Sequence, residues 1–233
     1  MAIIRIKPGV VTAQDGTYPE LRGARKGGLV SQDVGGRFEE SCYRGALFAG
    51  GMVGTSIASA TFTTADGLSA TLATAATATP IAGLWNPSGS KVNAVILQAT
   101  ISIYLTALQA TGPGAVVWAA FSGQSASITT GLSPVSRNTY LSSGSQCKNL
   151  AGVALTGLQN TGIFLGASPI TSNLLAVSEL QTAAGFLTGA GNAVENVDGS
   201  IIVPPGGIVA LFGTVTPVGC SAASSLLWEE IPL

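Results

Sequence analysis

The side chains that could do acid–base chemistry in this 233-residue chain are carboxylates, because the sequence contains no histidine. Without imidazole, the Ser-His-Asp and Cys-His mechanisms and the usual zinc and non-haem iron sites are excluded. A glycosidase would need two carboxylates flanking a sugar. Six are candidates, but most lie at predicted turns or near the end of the sequence, and no spacing brings two together: Asp66, Glu179, Glu195, Asp198, Glu229 and Glu230. We therefore predict that the protein is not an enzyme.

Cysteines and one glycine-containing loop are the other residues that could hold a metal or a cofactor. Cys42, Cys147 and Cys220 are odd in number, widely separated and outside any CxxC spacing. They are predicted to be core thiols of a protein that folds in a reducing cytoplasm. The loop at 83–91, GLWNPSGSK, differs from a phosphate-binding loop because a serine separates its second glycine from its lysine. We predict no metal and no cofactor.

One basic cluster, RGARKGG at residues 22–28, is a candidate for binding a partner. It is either a solvated loop or a docking contact to an acidic protein surface. Nucleic acid is disfavoured as a partner, because the net charge is −1 and no aromatic residues interleave with these charges. Trp85, Trp118 and Trp228 either lie in the core or in a subunit interface, or stack on sugars in a receptor-binding protein.

The elements that would position these residues are organised around residues 85–122, which we interpret as the central pair of strands of an all-β domain. From Val95 to Leu105 apolar side chains alternate with mostly polar ones, and this period of two predicts a strand. Gly112-Pro113-Gly114 cannot continue that strand. Residues 116–121, VVWAAF, are apolar on both faces, so we expect both faces of this second strand to be covered.

Further strands are predicted on both sides of this centre, at the spacing typical of a sandwich or barrel. In residues 55–79 a strand pair is expected on either side of the hairpin signal Asp66-Gly67. The other assignments are a turn at 85–90, a loop at 123–150, a strand or a short helix at 174–182 with the strand favoured, a loop at 185–196, a tight turn at Asp198-Gly199, strands at 201–203, 208–216 and 226–231, and a turn at 204–207.

Charge is concentrated in the first part of the chain. Of the 10 basic and 11 acidic residues, 12 lie within residues 1–44, where apolar residues are too sparse for an independent core. We interpret residues 1–44 as an extended arm, with a strand in residues 3–11, that becomes ordered on neighbouring subunits. Residues 45–233 are predicted to form a jelly-roll-like antiparallel β-sandwich, because an immunoglobulin-like domain needs only about 100 residues.

The composition predicts association with other chains. Charged residues make up only 9% of the sequence, against about 25% in a typical soluble protein. That is too little charge to cover the surface of a freely soluble monomer. A membrane is not an expected partner, because polar residues, glycine and proline interrupt every apolar stretch, and the first residues are not typical of a secretory signal.

Several turn and packing motifs resemble those of a type of structural protein found in tailed bacteriophages. The passages that carry the resemblance are RFEESCYRG at 37–45 followed by Leu47-Phe48, LWNPSGSK at 84–91 before an apolar strand, and VPPGG at 203–207 with WEEIP at 228–232. Similar proteins carry an RYYE..YRG element, an NP.GSGK turn and a PPG turn. This chain departs from those patterns at Phe38, Glu40 and Ser90.

The resemblance implies a jelly-roll homotrimer on the outside of a phage head, assembled in the host cytoplasm. Such a protein would bind the major capsid protein and cement the shell, with its N-terminal arm reaching across capsomers. The basic residues of the arm are then the candidate capsid-docking residues: Arg5, Lys7, Arg22, Arg25, Lys26 and Arg37. Two other classes stay open, a head-fibre, tail or spike component that binds a host receptor, and a carbohydrate-active enzyme.

Overall fold

The computed structural model describes residues 38–55, 62–64, 70–72, 79–105, 115–124, 131–138, 143–155, 158, 162–171, 191–214 and 220–233. Residues 40–233 belong to one compact unit. The predicted arm lies outside the described residues up to residue 37, and its last residues form a one-turn helix. The elements are α1 Glu39–Tyr43, β1 Leu47–Thr55, β2 Phe62–Thr64, β3 Ala70–Leu72, β4 Ala82–Trp85, β5 Val92–Leu105, β6 Ala115–Phe121, β7 Val135–Ser136, β8 Lys148–Asn149, β9 Gly162–Thr171, β10 Gly191–Val203, β11 Ile208–Gly213 and β12 Cys220–Pro232.

The described strands form two antiparallel sheets, in the orders β10-β5-β12-β1-β7 and β2-β3-β9-β6-β11-β4-β8. Eight of the strands pair in a nested order, from the outermost pair inward: β1 with β12, β4 with β11, β5 with β10, and β6 with β9. Four of these eight strands lie in each of the two sheets, which is the jelly-roll arrangement. The predicted all-β jelly-roll-like sandwich is therefore confirmed.

The core lies between the two sheets. Phe48, Ile101 and Trp228 from the five-stranded sheet belong to one buried cluster with Leu84 and Trp118 from the seven-stranded sheet. These side chains face the core because every second side chain of a strand points to the same face of its sheet. All three tryptophans are buried, as in the core interpretation. Of the predicted core thiols Cys147 is buried, whereas Cys42 is only partly buried.

Strand β6 confirms the expectation of two covered faces. Val116 and Trp118 face the cluster between the sheets, whereas Val117 and Phe121 belong to a second cluster on the other side of the same sheet. That second cluster is completed by apolar residues from the segment after β8, namely Leu150 and Leu155, and by Phe212 of β11. The predicted central pair is corrected in one respect, because β5 and β6 are central strands of different sheets and do not pair with each other.

The predicted alternation of β5 holds over only part of the strand. Ile101 and Ile103 face the core as expected, but Ile96, assigned to the more polar face, is fully buried. The cause is a bulge, since Gln98 pairs with Leu227 whereas Ile96 pairs with the very next residue of β12. One extra residue in a strand reverses the phase of every side chain beyond it.

A second irregularity corrects two assignments near β10. The strand begins at Gly191, inside the segment predicted as a loop at 185–196. Asp198 and Gly199 have the positive φ angles expected of a tight turn, 53° and 83°. They do not connect two strands, however, because β10 resumes its pairing with β5 at Ile201. The predicted turn is a bulge within an edge strand, which is a common way to protect an exposed sheet edge.

Two of the predicted turns are linked through Asn86. Its buried side-chain nitrogen donates to the carbonyl oxygens of Val92 and Val203, each at 2.8 Å, and its backbone carbonyl accepts from the N–H of Gly206 at 2.7 Å. These hydrogen bonds join the turn at 85–90 to the turn at 204–207. The sequence of either turn does not indicate that the two are in contact.

The strand pair expected in residues 55–79 is confirmed, because β2 and β3 pair antiparallel, although Asp66-Gly67 lies outside the described residues. The strands at 201–203 and 226–231 are confirmed as parts of β10 and β12, and the strand at 208–216 is confirmed over Ile208–Gly213, where β11 ends. The predicted loop at 123–150 contains two short strands, β7 and β8. The strand predicted at 174–182 lies outside the described residues.

Candidate functional site

All six predicted capsid-docking residues, Arg5, Lys7, Arg22, Arg25, Lys26 and Arg37, lie outside the described residues. The described part of the chain offers two other surfaces on which a function could rest. One is the solvent-facing side of the five-stranded sheet, and the other is a cleft beside strand β10.

The central part of the solvent-facing side of the five-stranded sheet, here called the outer face, contains no charged residue. Its large apolar side chains are strongly exposed, Val53 by 87%, Val135 by 67% and Val194 by 58%. Cross-strand pairing places small and polar uncharged residues between them. The outer face consists of Ala49, Gly51, Val53, Gln98, Thr100, Ser102, Val135, Val194, Asn196, Ala223, Ser225 and Leu227.

Depletion of charge together with exposed valines is unusual for a surface that faces water, and it is typical of the central part of a subunit interface. The next carboxylate along the same side of β12, Glu229, lies at the end of the outer face. It accepts a hydrogen bond of 2.6 Å from the Ser41 hydroxyl of α1. This hydrogen bond links the short helix to β12 at the end of the outer face.

The second surface is a cleft of about 610 Å³ between β10 and the strands β6 and β9 of the opposite sheet, here called the β10 cleft. Its lining is mostly apolar and includes the exposed side chains of Ile163, Leu165 and Ile202. Polar groups come mainly from β10, which contributes Glu195, Asn196 and Ser200. Among the described lining residues, Glu195 is the one with a charged side chain.

The Glu195 carboxylate is held in place by two side chains of the opposite sheet. The indole N–H of Trp118 donates to its two oxygens at 3.0 and 3.1 Å, and the Ser168 hydroxyl donates to Oε2. These contacts join β10 to β6 and β9 across the gap between the sheets. Because two donors fix the carboxylate, it presents a negative charge at a constant position in the cleft.

A second carboxylate, Glu230, is buried at the opposite side of the sandwich and has a structural role. It accepts from the Ser145 hydroxyl at 2.5 Å, from the backbone N–H of Gln146 at 2.9 Å and from the indole of Trp228 at 3.2 Å. Burial raises the pKa of the neighbouring Cys147 thiol far above its ordinary value, and the Glu230 charge raises it further. That thiol stays protonated and unreactive near neutral pH.

No cluster of three or more His, Cys, Asp or Glu side chains suited to a metal occurs among the described residues. No helix found there is long and apolar enough to cross a membrane. Glu195 was one of the candidate carboxylates of the sequence, but its partner Trp118 is 77 residues away, and no local pattern connects the two.

Comparison with known proteins gives no match. No protein-family model matches the chain, and the searches of curated proteins and of solved structures found no match either.

Proposed function

We propose that this protein is a non-enzymatic structural protein of a tailed-bacteriophage particle, where it decorates the outside of the head shell as a homotrimer and stabilises it. The phage assignment comes from the sequence resemblance. The outer face is the structural observation that supports it, since a sheet side with exposed Val53, Val135 and Val194 and no charge suits contact with another protein. The low charge of the whole chain, 9%, points in the same direction.

In this proposal the two parts of the chain have different partners. The outer face joins copies of the protein to one another, and burial of apolar area there contributes roughly 25 cal/mol per Å² before the costs of association. The basic residues of the N-terminal segment, Arg5 to Arg37, bind the major capsid protein. Many weak contacts repeated over a shell add avidity, so each contact needs only modest affinity.

The location is tested by immunogold electron microscopy of particles from the source lysate, with antibody against this chain. We expect gold over the heads. Gold confined to tails or fibres would contradict head decoration and favour the receptor-binding class, and unlabelled particles would contradict a place on the virion surface. A chain without residues 1–37 is expected to stay folded but not to label shells to which it is added, because the capsid-docking residues are gone.

Self-association is tested separately by light scattering of the purified protein. Val53→Lys places a charge in the middle of the outer face, where it would be buried against a like charge or an apolar surface. We expect this variant to have the mass of a smaller species at a concentration where the wild type is a trimer. Leu132→Lys is the matched control, because Leu132 is also exposed, by 48%, but lies outside the outer face. Equal masses for the two variants would contradict the assigned interface.

A further inference from the structure

We infer that the β10 cleft binds residues 3–7 of a second copy of this chain, Ile-Ile-Arg-Ile-Lys, with the basic side chains directed to Glu195. The inference rests on the proposed self-association, but not on a location at the phage head. It reassigns Arg5 and Lys7 from the capsid protein to a second copy of this chain, and it leaves Arg22, Arg25, Lys26 and Arg37 as the capsid-docking residues.

The charge of the cleft selects a cationic occupant. Glu195 supplies a negative charge, and no Lys or Arg is found among the described residues that line the cleft. A carboxylate has about four acceptor positions, so the donors from Trp118 and Ser168 do not saturate it. A guanidinium or ammonium group would gain a charge-assisted hydrogen bond there, whereas an anionic ligand would be repelled.

The walls of the cleft select an occupant that is apolar as well as cationic. On the β6 and β9 side, Ile163 and Leu165 are exposed and no charged side chain is present among the described lining residues. The β10 side carries Glu195 among apolar side chains that include Val197 and Ile202. A segment in which basic residues are flanked by apolar ones matches this lining, because its apolar side chains can pack on both walls while a basic side chain reaches Glu195. The volume of about 610 Å³ lies within the usual range of binding sites, about 300–1,000 Å³.

The chain itself contains such a segment, and most of its cations lie in the same region. Seven of the 10 basic residues precede residue 45. Arg5 and Lys7 alternate with isoleucines, whereas the basic cluster at 22–28 is flanked mostly by glycines. The 37 residues that precede the described part could span roughly 120 Å if extended, which is long enough to reach a neighbouring copy.

Binding is tested by fluorescence anisotropy with a labelled peptide of residues 2–12, AIIRIKPGVVT, added to full-length protein that carries Arg5→Gln and Lys7→Gln, so that its own segment does not compete for the cleft. We expect saturable binding that weakens at least about tenfold when Arg5 and Lys7 of the peptide are changed to Gln, because a charged hydrogen bond is lost. Ile163→Lys in the protein, which puts a like charge on the cleft wall, is expected to weaken binding by a similar factor. Leu132→Lys, at a similarly exposed position outside the cleft, is expected to leave it unchanged. Circular dichroism verifies that both variants are folded.

Absence of binding, equal binding of the Gln peptide, or equal effects of the two protein variants would overturn the assignment of the site. The origin of the segment is tested in the full chain with Arg5→Gln and Lys7→Gln together. We expect a lower mass by light scattering, and an unchanged mass would overturn the assignment to a second copy. Gold labelling of particles is independent of these measurements, so a failure of the proposed head location is distinguishable from a failure of this inference.

Discussion

Replacing Glu230 with Gln tests whether a buried carboxylate holds the end of β12 to the segment before β8. Glu230 is 7% exposed and accepts four hydrogen bonds, from Ser145, from the backbone N–H groups of Gln146 and Cys147, and from Trp228. Glutamine has the same shape, but one acceptor oxygen becomes an NH2 group that faces a donor. The substitution therefore loses at least one charged hydrogen bond and leaves a buried N–H unsatisfied.

The expected cost follows from those two losses. A hydrogen bond to a charged group contributes about 1.5–3 kcal/mol, and an unsatisfied buried donor costs about 1–3 kcal/mol. Allowing for partial relaxation, we expect Glu230→Gln to lower the free energy of unfolding by about 2–4 kcal/mol. For a domain of this length the unfolding temperature should fall by roughly 5–15 °C.

The assay is urea unfolding and calorimetry at one fixed protein concentration, because self-association would add to the apparent stability. Glu229→Gln is the matched control, since this neighbouring carboxylate is only half-buried and accepts from the Ser41 hydroxyl. It should cost less than about 1 kcal/mol. If the two substitutions cost the same, or if Glu230→Gln changes stability by less than about 0.5 kcal/mol, the reasoning about the buried network is refuted.

Two further predictions concern close packing and a buried thiol. A Cβ at Gly51 would lie 2.0 Å from the carbonyl oxygen of Ser224, so Gly51→Ala should cost about 3 kcal/mol or more in urea unfolding. Gly89→Ala, at a position with nothing within 4 Å, should stay within about 0.5 kcal/mol of wild type, and similar losses at both sites would contradict the close approach. Since the pKa of Cys147 is raised in the folded chain, its stabilising contribution should be complete below about pH 8.5 and fall at higher pH, by up to about 1.4 kcal/mol per pH unit. Unfolding midpoints between pH 7.5 and 10 measure this fall, which should be smaller in Cys147→Ala; equal slopes would contradict it.

Much of the fold could be predicted because strands and turns have local sequence patterns. The period-two pattern of β5, the doubly apolar run of β6 and the PPGG turn before β11 each depend on residues close together in sequence. Two of the errors come from bulges, which change the phase or the extent of a strand by adding unpaired residues, one in β5 and several in β10. Neither the bulge at Leu97 nor the one at Asp198-Gly199 can be recognised without knowing which strand lies alongside.

The candidate site was less predictable than the fold. Glu195 could be named as a carboxylate and Trp118 as a buried indole, but no sequence pattern pairs residues 77 positions apart. The uncharged outer face likewise draws its residues from five strands that are distant in the chain. Such surfaces come from nested long-range pairing, which joins the first strand to the last.

The sequence by itself determined the composition of the surfaces and the class of the fold. It excluded imidazole chemistry, concentrated charge in the first 44 residues and placed alternating apolar residues where strands form. Only the tertiary structure decided which strands became neighbours, which valines were left exposed and which carboxylates were buried. The physical reason is that side-chain alternation is set within one strand. Burial and charge pairing depend instead on which residues of other strands lie next to a side chain in the folded protein.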